Sequence, residues 1–191
     1  MLIGLSGRAG SGKDTAASVL VSEGGFRLVR LAGALKDMLR SLLAYQGVGD
    51  ELREALVEGY LKEVPSTYLS GRSPRYAMQT LGTQWGRQLI DEDFWTTASR
   101  NRIANLLAEG IDVVVPDVRF PNEVGMIRSM GGKVFRVARM EASDKAVEHE
   151  SEILPPYDVE IRNDGSQAAF EQKVRYLILG AQRAARFDDD A

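Results

Sequence analysis

The sequence predicts an α/β fold built on a doubly wound, five-stranded parallel sheet. Three observations predict it. A short apolar strand runs into a glycine-rich turn and then into a helical pattern within the first residues of the chain. A second apolar strand follows soon after, and strand–helix–strand at so short a spacing makes the two strands parallel. Further short runs rich in Val, Ile and Phe recur later, separated by helical patterns and bounded by glycine or proline.

Leu2, Ile3 and Leu5 form the first strand. Gly7, Gly10 and Gly12 form the turn, and Lys13, Asp14 and Thr15 open a helix carrying Ala16, Ala17, Val19 and Leu20. Strand, glycine loop, lysine and helix make the sequence form of a phosphate-binding loop, with Gly7, Gly12 and Lys13 at the spacing G-x-x-x-x-G-K. Glycines let backbone N–H groups converge on an anion, the helix N-terminus adds partial positive charge, and Lys13 adds a full one. The general motif places Ser or Thr directly after the lysine to hold Mg²⁺. Here Asp14 stands in that place and the hydroxyl follows at Thr15. This G-K-x-T form is similar to the loop of nucleoside monophosphate kinases. The expected architecture is therefore a P-loop NTPase fold.

Gly24-Gly25 ends the first helix, and Phe26 to Ala32 reads as the second strand. The next helix runs from Ala34 to Ala44. Lys36, in its first turn, stands near the carboxyl end of strand two, where open α/β sheets bind ligands. It suits a substrate phosphate, or simply a solvated helix face. Residues 46–74 are polar and irregular, with a helix over Asp50 to Tyr60, and read as an insertion.

From Arg75 to Leu89 the apolar residues Tyr76, Met78, Leu81, Trp85 and Leu89 recur at helical spacing, weakened by Gly82 and Gly86. Arg75, Gln79, Thr83 and Arg87 recur every four residues as one stripe. That stripe suits a plain solvated face, or a phosphate at one place and a base edge at another. A helix opening at Asp93, Phe94 and Trp95 continues to about Glu109.

Ile111 to Val115 is a buried strand ending in Pro116-Asp117-Val118-Arg119. Asp117 stands where the Mg²⁺-associated carboxylate of a P-loop enzyme belongs. Asn122-Glu123 starts a helix to Met130, and Lys133 to Ala138 forms strand four. Residues 139–152 are charged and poorly hydrophobic. They read as a surface helix or as a lid closing with Arg139 and Lys145, with His149 in a structural or lid-stabilising part. Val159 to Ile161 is strand five, Asn163-Asp164-Gly165 a turn. Ser166 caps a last helix with Ala169, Phe170, Val174, Leu177 and Ile178 on one face.

Composition narrows the function. The 191 residues suit one domain with a proper core. A net charge of −3 argues against a nucleic-acid polymer as partner. With no cysteine and one histidine, disulfides and thiolate or imidazole metal clusters are excluded. No apolar run approaches the ~18 residues of a membrane span, and the apolar start lacks the basic flank of a signal peptide, so the cytoplasm is expected. Of 24 basic residues only six are lysine; arginine grips phosphates bidentately, although genome composition enriches it too.

Taken together, Gly7–Thr15, Leu-Ala-Gly-Ala-Leu-Lys (31–36), Gln-Thr-Leu-Gly-Thr-Gln-Trp-Gly-Arg (79–87), Asp-Val-Arg-Phe-Pro-Asn-Glu (117–123), His-Glu-Ser-Glu (149–152) and Asn-Asp-Gly (163–165) carry a resemblance. The chain resembles the phage-type deoxynucleoside monophosphate kinases, a branch of the P-loop kinases. The resemblance implies one kinase domain over 1–191, with an acceptor-binding insertion at about 36–95 and a lid at about 139–152. It implies transfer of the γ-phosphoryl group of ATP to a (deoxy)nucleoside monophosphate. Gly10, Ser11, Gly12, Lys13, Asp14 and Thr15 would bind ATP, with Asn163 and Gly165 near its base. Thr15 and Asp117 would hold Mg²⁺. Lys13, Asp117, Arg119 and Arg139 would act on the transferring group, and Lys36, Arg75, Gln79, Thr83, Trp85 and Arg87 on the acceptor. Base preference and oligomeric state, a homodimer included, stay open. Phosphomevalonate kinase shares the scaffold motifs, so a P-loop kinase of a non-nucleotide acceptor such as phosphomevalonate or dephospho-coenzyme A is the alternative, and a nucleotide-sensing module would share the loop.

Overall fold

The computed structural model describes residues 1–139 and 155–182. The chain forms two compact units: Met1–Arg30 with the chain from Arg100 onward, and Leu31–Ser99.

The first unit is built on five parallel strands: β1 (Leu2–Ser6), β2 (Arg27–Leu28), β3 (Val113–Val115), β4 (Lys133–Ala138) and β5 (Val159–Arg162). Their spatial order is β2-β3-β1-β4-β5, so β1 is central. Every residue of β1 and β3 is buried, as strands covered on both faces require. Helices α1 (Lys13–Gly24) and α7 (Gln167–Val174) supply one cover. Their Ala16, Leu20, Phe170 and Val174 pack with Ile3, Leu5, Val114, Phe135, Val137 and Ile161. Helix α6 (Pro121–Ser129) covers the other face, and its Ile127 lies where a side chain at Gly4 would otherwise stand. The sheet is thus doubly wound, as the sequence predicts.

β2 is shorter than the predicted Phe26 to Ala32. Only Arg27 and Leu28 keep strand geometry, with one further bond from Val29 N–H to the Val114 carbonyl at 2.9 Å. β2 is the sheet edge, and a brief strand with exposed Arg27 and Arg30 resists pairing with another chain.

The last helix also departs from expectation. After α7 the chain winds as a π-helix over Arg175–Leu179. The wider winding turns Ile178 and Leu179 into the core, and Leu177 is 38% exposed. Ala169, expected on the buried face, is exposed.

The second unit contains α2 (Gly33–Tyr45), α3 (Asp50–Val57), α4 (Pro74–Gln79) and the start of α5 (Phe94–Ala108), which continues into the first unit. Leu35, Leu39 and Leu43 recur every fourth residue on α2 and pack with Val48, Leu56, Val57, Met78 and Trp95. α3 ends at Val57, before the predicted Tyr60.

The predicted helix over Arg75 to Leu89 is α4 followed by a π-helix, Thr80–Ile90. Gly86 explains the winding's setting. A side chain there would meet Trp95 Nε1 at 2.3 Å, and that indole donates to the Gly82 carbonyl at 2.9 Å. The four-residue stripe runs from α4 into this π-helix, with Arg75, Gln79 and Thr83 exposed and Arg87 half-buried.

Candidate active site

The sheet order explains how residues distant in sequence meet. The glycine loop follows central β1. Asp117 follows β3 on one side, Arg139 follows β4 on the other, and Asn163 follows β5. All four segments leave the carboxyl ends of parallel strands, the edge where open α/β sheets bind ligands.

Two glycines of the loop are sterically required. Gly7 has φ 143°, and a Cβ there would stand 2.4 Å from the Val137 carbonyl oxygen. Gly12, the N-cap of α1, has φ 110°, and its Cβ would stand 2.5 Å from Asn163 Nδ2 and 3.3 Å from the Phe170 ring. Both conformations are ones that L side chains avoid. Gly10, Gly12, Lys13, Asp14, Thr15, Arg139, Asn163, Gly165, Gln167 and Phe170 line a cavity of about 360 Å³. The structure therefore gathers the loop, Arg139, Asn163 and Gly165 at one place. Ser11 is buried, its carbonyl accepting from Asn163 Nδ2 at 2.8 Å.

Lys13 Nζ donates to the Gly7 carbonyl at 2.7 Å and the Arg8 carbonyl at 3.0 Å. Burial pushes its ammonium below the ordinary lysine range. Asp117 and Asp14 pull it back up, and Arg119 opposes them. An ammonium resting on loop carbonyls and short of solvent gains from an incoming anion. Asp117 and Arg119 form an ion pair, with Arg119 Nη2 2.6 Å and Nε 2.9 Å from Asp117 Oδ2. That bond raises the Arg119 guanidinium further above its ordinary value, so it stays cationic.

The loop carrying this pair is held by Glu123, which motif reading placed only as a helix start. Its buried carboxylate accepts the Arg119 N–H at 2.7 Å and the Phe120 N–H at 3.1 Å. Gln167 and Phe170 also escaped sequence reading as site residues. Phe170 counted as core, and Gln167 carries no motif.

Among the described residues, no cluster of three His, Cys, Asp or Glu could hold a metal. Thr15 and Asp117 nonetheless fit Mg²⁺. They are hard oxygen donors beside a phosphate loop, and Mg²⁺ is held by one or two such groups plus substrate phosphates rather than by an all-protein cage.

Within the second unit, Lys36 Nζ bonds both oxygens of Glu58, at 2.7 and 2.9 Å. Arg75 pairs with Glu63, and its N–H donates to the Lys62 carbonyl at 2.9 Å. Lys62, not singled out in the sequence, joins this group. Burial lowers its ammonium, and the cations of Lys36 and Arg75 lower it further. Trp85 is 36% exposed and meets Phe94 edge to face at 5.3 Å, with Trp95 at 6.0 Å. Gln79 and Thr83 are exposed and Arg87 is half-buried. The predicted lid beyond Arg139, with Lys145 and His149, lies outside the described residues.

Comparison with known proteins follows the same line. Residues 61–174 match the family described as deoxynucleotide monophosphate kinase. The chain is 31% identical over 195 residues to a protein of Acanthamoeba polyphaga mimivirus named for that activity, covering 96% of this chain and 98% of the relative. It is 29% identical over 109 residues to the deoxynucleotide monophosphate kinase of Escherichia phage RB69, covering 56% of this chain and 45% of that one. Among solved structures, TT1252 from Thermus thermophilus superposes with a TM-score of 0.52 at 18% identity, covering 95% and 97% of the two chains, a likeness of fold.

Proposed function

The chain belongs to the deoxynucleotide monophosphate kinase family, and on that premise we propose how its residues phosphorylate a (deoxy)nucleoside monophosphate. The donor is ATP and the product a nucleoside diphosphate. The observation that carries the reading is the loop at Gly7–Thr15, with Lys13 turned onto its carbonyls and Asp117 and Arg119 acting on its charge.

The loop N–H groups and Lys13 hold the β- and γ-phosphates. Lys13 leaves the Gly7 and Arg8 carbonyls for phosphate oxygens, which restores the favourable surroundings that burial removed. Arg119 and Arg139 neutralise charge on the transferring group. The bond from the γ-phosphorus to its bridging oxygen breaks as a bond to an acceptor phosphate oxygen forms. That oxygen is already anionic, so no general base is needed, and alignment with charge neutralisation supplies the rate. Thr15 and Asp117 are the residues that would hold Mg²⁺, which when bound neutralises the phosphate charge.

On the acceptor side, Lys36, Lys62 and Arg75 bind the monophosphate, which takes the place of Glu58 on Lys36 and of Glu63 on Arg75. Trp85 stacks on the base, with Gln79, Thr83 and Arg87 as its polar contacts. Support comes from the three cations gathered with carboxylate partners in one unit and from the exposed indole beside them in sequence.

A coupled assay of ADP release tests the reading with ATP and dAMP, dGMP, dCMP or dTMP, against phosphomevalonate and dephospho-coenzyme A. Turnover above ATP alone is expected with at least one monophosphate. Turnover only with a non-nucleotide acceptor would sink it, and binding of ATP without any product would favour a sensor.

A further inference from the structure

We propose that Asn163 is a positioning residue that sets the plane of the Ser11–Gly12 peptide and so aims the Gly12 N–H at the donor phosphates. The proposal rests on the kinase reading of the loop and assigns Asn163 a task other than contact with the donor base.

The amide of Asn163 is already committed. Its Nδ2 donates to the Ser11 carbonyl at 2.8 Å in a buried bond between residues far apart in sequence. Asn163 stands at the cavity wall but is only 8% exposed, and its Nδ2 is occupied by the loop. The position of a Gly12 Cβ lies 2.5 Å from Nδ2, so the amide rests directly on the loop backbone.

Geometry supplies the rest. The described chain has no cis peptide bond, and in a planar trans peptide the C=O and the following N–H point to opposite sides. Fixing the Ser11 oxygen against Asn163 therefore turns the Gly12 N–H away from it. Gly12 lines the cavity, and it is the cap before Lys13, where an anion meets the helix N-terminus. The peptide before Gly12 can flip because a glycine accepts the φ that a flip imposes, and a flip would present the Ser11 carbonyl oxygen to the phosphates. The Asn163 bond opposes that flip.

Asn163 is itself well anchored. Its N–H donates to the Ala138 carbonyl at 2.7 Å, and Phe170 packs at 3.3 Å from the same Gly12 position. The residue thus ties the loop to the ends of β4 and β5. Arg139 directly follows the Ala138 that receives this bond.

The test separates orientation of the loop from reading of the base. Tripolyphosphate, ATP and GTP are titrated calorimetrically into the full chain, its Asn163→Leu variant and its Asn163→Ser variant, each checked for folding by circular dichroism. Leu keeps the volume and removes the donor. Ser keeps a donor too short to span the distance, and serves if Leu does not fold. Loop orientation predicts that both variants weaken tripolyphosphate about tenfold, the scale of one lost buried hydrogen bond. ATP and GTP weaken by the same factor, their ratio stays that of the wild type, and the acceptor KM is unmoved. Unchanged tripolyphosphate affinity, or an altered ATP-to-GTP ratio, overturns the proposal. A wild-type chain that binds no tripolyphosphate overturns the kinase reading and this inference with it.

Discussion

Glu123 offers a perturbation whose size can be worked from the structure. Its Oε2 takes two backbone N–H groups, from Arg119 at 2.7 Å and Phe120 at 3.1 Å, and its side chain is almost closed to solvent. Glu123→Ala strands both donors. A hydrogen bond to an ionised group contributes about 1.5–3 kcal/mol, and the lower end applies here because both donors are only partly buried. Two such bonds give a loss of about 3 kcal/mol. Glu123→Gln keeps the shape and an acceptor oxygen but loses the charge, for about 1 kcal/mol. For a chain this long 1 kcal/mol moves Tm by about 2–4 °C, so the alanine variant should melt about 6–12 °C lower. The same turn carries the Asp117–Arg119 pair, so the alanine variant should also lose about tenfold in kcat at a temperature where it remains folded. Scanning calorimetry and steady-state kinetics give both numbers. An alanine variant that melts with the wild type refutes the hydrogen-bond account. One that melts early but keeps its kcat refutes the link from Glu123 to the Asp117–Arg119 pair.

Further outcomes are expected. Gly86→Ala puts a Cβ 2.3 Å from Trp95 Nε1 and should cost about 1–3 kcal/mol in urea denaturation; Gly125→Ala in α6 meets nothing within 4 Å and should stabilise by up to about 1 kcal/mol. Because Lys13 is held below the ordinary lysine value, the unfolded chain binds more protons between the folded and ordinary values, and stability rises with pH there. Donor phosphate returns that proton, so calorimetry in two alkaline buffers should show proton uptake on ATP binding, absent in Lys13→Met; equal uptake by both would exclude Lys13. Lys62→Gln should raise the acceptor KM about tenfold and leave the ATP KM unchanged, and equal changes in both would remove Lys62 from the acceptor side. Asp158 is held below the usual carboxylate range, first by Arg128 and then by the Val134 N–H. Its stabilisation is present above the ordinary aspartate value and lost as pH falls through the folded one, so Asp158→Asn should flatten the acid limb of Tm against pH.

The glycine loop was legible because its shape is set by the backbone. Gly7 and Gly12 are required by φ and by close approach, and such requirements surface as glycine at fixed spacing. Asp117 and Arg119 were legible for a related reason, since an apolar β-branched run has an identifiable end. Asn163 was visible as part of a turn, yet its task depends on a bond to Ser11 that spans most of the chain. Lys62 gave no signal, because nothing distinguishes a half-buried lysine from a solvated one in sequence. The π winding over Thr80–Ile90 was not legible for a local reason: periodicity assumes one winding, and the Gly82 and Gly86 contacts of Trp95 accompany another.

This difference in legibility has a mechanistic counterpart. Every donor-side residue argued above, from Gly7 to Thr15 and on to Asp117, Arg119, Arg139 and Asn163, belongs to the first unit, whereas Lys36, Lys62, Arg75, Gln79, Thr83, Trp85 and Arg87 all belong to the second. In the proposed mechanism the first set works largely through oriented peptide groups, which side-chain substitution cannot easily retune. The second would work through side chains such as Lys36 and Arg75, which are already paired with Glu58 and Glu63. On that proposal an acceptor phosphate displaces those carboxylates. Glu58→Gln should therefore weaken a competitor without removing a phosphate ligand, lowering the acceptor KM and leaving the ATP KM in place. An acceptor KM that rises in Glu58→Gln would show that Glu58 orients Lys36 for its substrate rather than occupying the substrate's place.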